Sequence, residues 1–113
     1  MGNVNSKQDK YRRALLAFLT AEAKMPTVNE TIVRKIVADE QRGEYLLLNS
    51  GWRGNQHLHS NIYHFELKSD GKIWIHANWT DRLIDEDFTH YGIDPGDIVI
   101  GFVPDYYRTM LAE

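Results

Sequence analysis

A chain of 113 residues, 42% of them hydrophobic, has the size and apolar content of one folded domain spanning residues 1–113. The absence of cysteine excludes disulfides, thiolate metal sites and cysteine nucleophiles, and it favours the reducing cytoplasm. The formal charge of −3 is unevenly distributed: residues 1–60 carry nine Lys/Arg and six Asp/Glu, whereas residues 61–113 carry four Lys/Arg and ten Asp/Glu. The acidic second half disfavours broad electrostatic contact with nucleic acid.

The first predicted element is an amphipathic helix over residues 6–24. Its apolar side chains recur at three- and four-residue steps, which places them on one face: Tyr11, Ala14, Leu15, Phe18, Leu19 and Ala21. Ser6 is the predicted N-cap, and residues 1–6 are expected to be frayed. Pro26 ends the pattern, because proline forces the preceding residue out of helical geometry. The longest apolar stretch, residues 14–19, lies within this helix and is too short to cross a membrane.

Four strands are predicted next, because β-branched and aromatic residues come in short runs over residues 31–39, 44–52, 57–68 and 72–78. The turn segments between these strands are too short for parallel crossovers, so the strands should form an antiparallel meander. In the third strand, alternation predicts two faces, with Tyr63, Phe65 and Leu67 on one and Ile62, His64 and Glu66 on the other. One face should pack against the helix.

The pattern changes after residue 78. A second helix is predicted there, capped by Thr80 or Asp81, stopped by Gly92 and containing Leu83, Ile84, Phe88 and Tyr91. Turn residues at 93–96 precede a predicted buried strand over 97–103, and Pro104 opens a short C-terminal helix. The predicted fold class is therefore α+β: a helix packed on an antiparallel meander of about four strands, then a helix, a further strand and a short helix.

Four of the five histidines lie in the predicted meander: His57, His59, His64 and His76. The first two share a strand face and could begin a metal site. Such a site needs a third and fourth ligand from neighbouring strands, and strand pairing cannot be read from one sequence. We therefore predict no metal and no other cofactor, with these imidazoles hydrogen-bonded locally.

Two further patterns suggest activities on DNA. Glu66 and Lys68 have the spacing of the E-x-K element of metal-dependent nucleases, and Asp39 could supply a second carboxylate. The pattern is short and runs into a predicted hairpin, where such residues are ordinarily solvated. The basic first helix offers direct DNA binding through Lys7, Lys10, Arg12 and Arg13. Neither pattern amounts to a self-sufficient catalytic site, and we predict that the protein is not an enzyme.

Several motifs follow one another in order over about residues 11–108. They are Tyr45-Leu46-Leu47-Leu48, Gly51-Trp52-Arg53-Gly54, His59, His64, Asp70-Gly71-Lys72-Ile73-Trp74-Ile75, Gly92-Ile93, Asp97-Ile98-Val99-Ile100-Gly101-Phe102, Pro104 and Arg108. In this order and spacing the chain resembles the XisI family, the fdxN element excision controlling factors of cyanobacteria, and the match is more specific than any single motif. The chain departs from the family pattern at His76 and at Asn78-Trp79-Thr80-Asp81.

The resemblance implies a regulatory accessory protein for excision of a DNA element by a separate recombinase during heterocyst differentiation. It also implies a protein partner, either an XisH-type companion or the recombinase machinery. The family has no established catalytic residues to carry over. Its motif positions form the expected partner surface: Trp52, Arg53, His59, His64, Trp74 and Arg108. A homodimer through an edge strand or the aromatic tail is a further hypothesis, for which the sequence supplies no register.

Overall fold

The computed structural model describes residues 3–25, 31–80 and 84–102. Its elements are a long helix α1, a meander of strands β1 to β4, a short helix α2, a 3₁₀ turn and a last strand β5. Their bounds are α1 Asn3–Ala23, β1 Val33–Asp39, β2 Glu44–Arg53, β3 Gln56–Leu67, β4 Ile73–Asn78, α2 Ile84–His90, the turn Pro95–Asp97 and β5 Ile98–Ile100. None of the helices that the structure describes is long and apolar enough to cross a membrane.

The strands form one five-stranded sheet in the order β1-β2-β3-β4-β5. The first four are antiparallel neighbours, as the short turns predict, and β5 lies parallel to β4 after a crossover that contains α2. Gly43 closes the first hairpin with φ +74°, and a Cβ there would lie 2.2 Å from the carbonyl oxygen of Leu67. Only glycine fits this turn, because it lacks the Cβ that both the backbone angle and the neighbouring strand exclude. The α+β prediction is confirmed.

The hydrophobic core lies between one face of the sheet and the two helices. Phe18 of α1 is at its centre, with its ring 5.2–5.9 Å from those of Tyr63, Phe65 and Phe88. Such tilted and edge-on aromatic contacts stabilise a core beyond the area that they bury. The other large, fully buried side chains come from α1, the central strands and the crossover: Leu15, Leu19, Tyr45, Leu47, Ile73, Ile75 and Ile93.

Two expectations about the sheet are corrected. Ile62 belongs to the core and not to the opposite face, because the register of β2 and β3 shifts between Leu47 and Leu48. This β-bulge adds one residue to β3, so two successive side chains, Ile62 and Tyr63, are buried and the simple alternation fails. The last strand, predicted as buried over residues 97–103, is only three residues long, because Asp97 still belongs to the 3₁₀ turn before it. Its side chains are half-buried.

The helix boundaries also differ from the expectation. The first helix begins at Asn3, so Ser6 lies inside it and is not its N-cap. The second helix ends at His90, and Gly92 stops it as predicted, with φ +84° and with its N–H bonded to the carbonyl of Thr89. The predicted start of this helix at residues 81–83 and the predicted C-terminal helix from Pro104 lie outside the described residues.

A polar contact fixes the first half of α1 to the end of the crossover. The hydroxyl of Tyr11 donates to Oδ2 of Asp97 at 2.6 Å and accepts from the N–H of Asp94 at 3.1 Å. The ammonium of Lys7 lies 3.0 Å from the same carboxylate oxygen. Partial burial alone would raise the pKa of Asp97, but the hydrogen bonds from Tyr11 and Lys7 outweigh it and hold this pKa below its usual value. Asp97 therefore anchors α1 as a carboxylate.

Candidate interaction face

One face of the sheet is turned away from α1, and we call it the open face. Its residues follow from the register, because directly paired residues lie on the same side of a sheet. One row runs across all five strands and a second row runs beside it. The first row is Asp39, Glu44, Glu66, Trp74 and Val99, and the second is Val37, Leu46, His64 and Ala77. The open face thus mixes acidic, aromatic and aliphatic side chains with a histidine.

Two histidine–glutamate pairs occupy the middle of the open face. Nε2 of His64 lies 2.7 Å from Oε1 of Glu44, and Nε2 of His76 lies 2.8 Å from Oε1 of Glu66. The two imidazole rings are 5.0 Å apart, and all four side chains are half-buried. At these distances each ring N–H donates a hydrogen bond to a carboxylate. The polar groups of this cluster therefore bond to one another.

His76 reaches this cluster because of a second irregularity. The register of β3 and β4 shifts between His64 and Phe65, so that Phe65 pairs with Ile75 while His64 pairs with Ala77. His76 is the extra residue of this bulge, which re-aims its side chain toward Glu66. Sequence reasoning placed the histidines on strands but missed both glutamate partners, since no pattern in one chain reveals strand register.

Trp74 lies beside the histidine–glutamate cluster. The ammonium of Lys68 is 4.4 Å from the centre of its indole ring, a cation–π contact, and the ring of His76 stacks at 6.1 Å. Lys68 therefore covers part of an aromatic surface and does not point toward the acids of the row. Together these residues form a continuous patch of rings and paired charges on β3 and β4.

A second aromatic group lies at the far end of the β2–β3 hairpin. Trp52 is exposed, with its ring 4.8 Å from that of His57, and the ring of His57 is 6.4 Å from that of His59. Arg53 is exposed at the tip of the same hairpin. The structure therefore places Trp52 and His59 on one face near the hairpin end, and Arg53 at the tip on the other side of β2. His64 and Trp74 lie in the middle of the sheet, whereas Arg108 lies outside the described residues.

Comparison with known proteins identifies the family. The family model described as XisI protein matches residues 5–112, which is nearly the whole chain. The chain belongs to the XisI family. A comparison with curated proteins finds no match.

Two solved structures from Anabaena variabilis ATCC 29413 are similar to this XisI-family chain. One is a XisI-like protein with 31% sequence identity and a TM-score of 0.83, and the match covers 91% of this chain and 94% of the other. The second is the fdxN element excision controlling factor XisI, with 28% identity, a TM-score of 0.75 and coverage of 92% and 94%. The observed helix-on-sheet architecture is therefore the fold of XisI-like proteins.

The three residues of the nuclease hypothesis do not converge in this XisI-family structure. Asp39 is held by Arg42, with Nη1 3.0 Å from its carboxylate, and this contact lowers its pKa. Glu66 is bonded to His76, and β2 separates it from Asp39 by two strand spacings, about 10 Å. A shared metal needs ligand oxygens at roughly 2.0–2.6 Å from one point. Among the described residues, no group of three or more His, Cys, Asp or Glu side chains is arranged to hold a metal ion.

The basic residues of α1 are partly neutralised within the fold. Arg12 lies 3.0 Å from Asp9 and 3.5 Å from Glu40, beside a surface cleft of about 710 Å³ between α1 and the β1–β2 turn. Lys7 is paired with Asp97, which leaves Lys10 and Arg13 as the exposed cations of the predicted DNA-binding set. Two separate cations offer a phosphate backbone little of the clustered charge that non-specific binding needs.

Proposed function

We propose that this protein is a non-enzymatic controlling factor for the excision of a DNA element, and that it acts by docking onto a protein partner through the open face of its sheet. Membership of the XisI family and the similarity to an fdxN element excision controlling factor support the role in excision. The observation that carries the docking half of the proposal is the middle of the open face, where two histidines and two glutamates are already bonded in pairs beside Trp74.

The open face has the character of a binding surface rather than a reacting centre. In each His–Glu pair the carboxylate accepts from Nε2 and fixes the orientation of the ring, so His64 and His76 present a preformed polar surface to a partner. Burying such paired groups under a partner costs less than burying isolated charges, because each charge keeps a hydrogen-bond partner. Trp74, half-buried among them, is the residue type that most often dominates the binding energy of an interface.

The proposed partner is the XisH-type companion of the family or the recombinase machinery that it serves, encountered in the cytoplasm during heterocyst differentiation. A protein partner suits the charge distribution better than bare duplex does, because the second half of the chain is acidic and two of the four candidate cations on α1 are paired. The motif residues at the hairpin end, Trp52 and His59, extend the same surface along β2 and β3.

Co-purification with an XisH-type companion, followed by titration calorimetry, tests the docking proposal. We expect association at micromolar concentration and a loss of about tenfold or more in affinity for Trp74→Ala, since a central aromatic is removed. The control is Trp79→Ala, because Trp79 is 80% exposed and lies at the margin of the open face, just past the end of β4, where its N–H bonds to the carbonyl of Ile62. Absence of binding, or equal affinity for the two variants, would refute docking through this face.

The non-enzymatic half of the proposal has a separate test. Incubation of the purified chain with supercoiled plasmid and Mg²⁺ or Mn²⁺ should leave the substrate intact even at high protein excess. Cleavage by the wild type that disappears in Glu66→Gln would show that the nuclease hypothesis was right. The Glu22→Gln variant is the control, because Glu22 is a buried carboxyl outside the open face.

A further inference from the structure

The outer strand β1 has an unusually exposed edge. It pairs with β2 on one side, and no other described strand lies along its second side. Three of its apolar side chains are substantially exposed: Val33 at 52%, Ile36 at 36% and Val37 at 46%. Unpaired backbone groups along such an edge are a template for a further strand. The strand also carries Arg34, Lys35 and Asp39, charges of the kind that protect edges, so an added strand has to match them.

The exposed apolar groups of β1 lie on both faces of the sheet. Ile36 is paired with the buried Leu47 and so faces the layer of α1, whereas Val37 is paired with Leu46 on the open face. A partner resting on one face would leave the other apolar side chain in water. A strand added at the edge covers both at once, because its side chains alternate between the two faces in the same way.

The sequence of β1 is complementary to itself in one antiparallel register. When Val37 is opposite its own copy, Lys35 falls opposite Asp39 of the second copy, and Ile36 falls opposite Ala38. Two-fold symmetry repeats the Lys35–Asp39 pair on the other side of the axis. A register centred on Ile36 instead places Lys35 opposite Val37 and Val33 opposite Asp39, so each charge meets an aliphatic side chain.

We propose that two copies of this chain pair through β1, antiparallel and centred on Val37, so that their sheets join into one continuous sheet. Both Asp39 oxygens accept hydrogen bonds from Arg42 in the single chain, yet the side chain is 40% exposed and has lone pairs for a second cation. The assembly closes after two copies, since the pairing uses the same strand of each. The opposite edge, β5, is a three-residue strand and provides little length for further growth.

Disulfide trapping tests the register, because the chain has no cysteine and a single introduced thiol reports one contact. The V37C variant should form a covalent dimer under mild oxidation, since directly opposed strand residues have Cβ atoms about 4.5–5.5 Å apart, close to the range for a disulfide. The K35C variant is the control. In the proposed register, two copies of position 35 are four residues apart along the strand, about 14 Å, so it should remain monomeric on a denaturing gel.

Charge reversal tests the same pairing without a covalent link. In sedimentation of the full chain alone, K35D and D39K should each weaken dimerisation about tenfold or more, and the double variant K35D/D39K should restore it. The R13E variant, which reverses an exposed charge on α1, should dimerise as the wild type does. A monomeric wild type at high micromolar concentration would overturn the proposal, as would a dimer that V37C fails to trap and that neither reversal weakens.

One outcome would assign this edge to a different occupant. If the wild type is monomeric and K35D abolishes binding of the XisH-type companion, the edge accepts a strand of that partner and the self-pairing proposal is wrong. Dimerisation is measured here with no companion present, so its failure is distinguishable from failure of the proposed docking function.

Discussion

Removal of the Tyr11 hydroxyl tests how α1 is fixed to the crossover. Tyr11 is 3% exposed, and its hydroxyl makes two hydrogen bonds, a charge-assisted one to Asp97 and one from the backbone of Asp94. A charge-assisted bond contributes about 1.5–3 kcal/mol and a neutral one about 1 kcal/mol. Lys7, which shares the carboxylate, is 39% exposed, so solvent screens the charge and we take the lower end. Tyr11→Phe should therefore lower the free energy of unfolding by about 2.5 kcal/mol at pH 7.

The loss of unfolding free energy caused by Tyr11→Phe should depend on pH. The pKa of Asp97 is lowered in the folded state, so its contribution is present above the unfolded pKa near 4 and is lost as pH falls through the folded pKa. Tyr11→Phe removes one cause of the lowering. The difference between wild type and variant should therefore shrink in acid, because the bond from Tyr11 to a protonated Asp97 is no longer charge-assisted.

Urea unfolding followed by tryptophan fluorescence at pH 7 and in the acid range measures both quantities. The control is Tyr45→Phe, because Tyr45 is also buried while its hydroxyl makes no hydrogen bond within the part of the chain that the structure describes. It should cost less than about 0.5 kcal/mol at either pH. A Tyr11→Phe loss equal to that of the control, or a loss unchanged by acid, would show that Asp97 does not anchor α1.

Further variants probe the turns and the bulge. Gly43→Ala should lower the free energy of unfolding in urea by more than about 2 kcal/mol, because the added Cβ meets the Leu67 carbonyl at 2.2 Å. Gly54→Ala, at φ +59° with open space around it, should lower it by about 1 kcal/mol. Equal losses would contradict the close approach at Gly43. Ile62→Ala should cost about 2–4 kcal/mol, since the bulge buries this side chain in the core. A loss below about 0.5 kcal/mol, typical of surface substitutions, would place Ile62 on the open face instead.

The elements of this fold could be predicted from local sequence because each has a local cause. The third strand, predicted over residues 57–68, is observed at Gln56–Leu67, and Tyr63, Phe65 and Leu67 face the core as alternation requires. Gly92 stops α2 because its position needs a positive φ, which the residue type itself signals. Ile62 is an exception to this alternation, because its burial depends on a bulge in the pairing of β2 and β3. The spacing of apolar residues within one strand does not indicate such a bulge.

The candidate site could be predicted only as residues on strands and not as contacts. His64 and His76 were expected to form local hydrogen bonds, and both do, but their partners Glu44 and Glu66 come from neighbouring strands. Those partners depend on register, which a single sequence specifies only through the alternation of apolar residues. For the same reason the E-x-K spacing gave no sign that Lys68 would lie over Trp74.

The hydrogen bond between Tyr11 and Asp97 joins positions 86 residues apart in the chain. During synthesis α1 leaves the ribosome first, yet the carboxylate that fixes it emerges only after the whole meander has been made. The hairpins close locally and can form early, whereas α1 completes its docking when the nascent chain has grown past Asp97. Until then, the four strands of the meander cover its apolar stripe without the contact that fixes it, so a nascent chain shorter than residue 97 should expose more apolar surface than the finished fold.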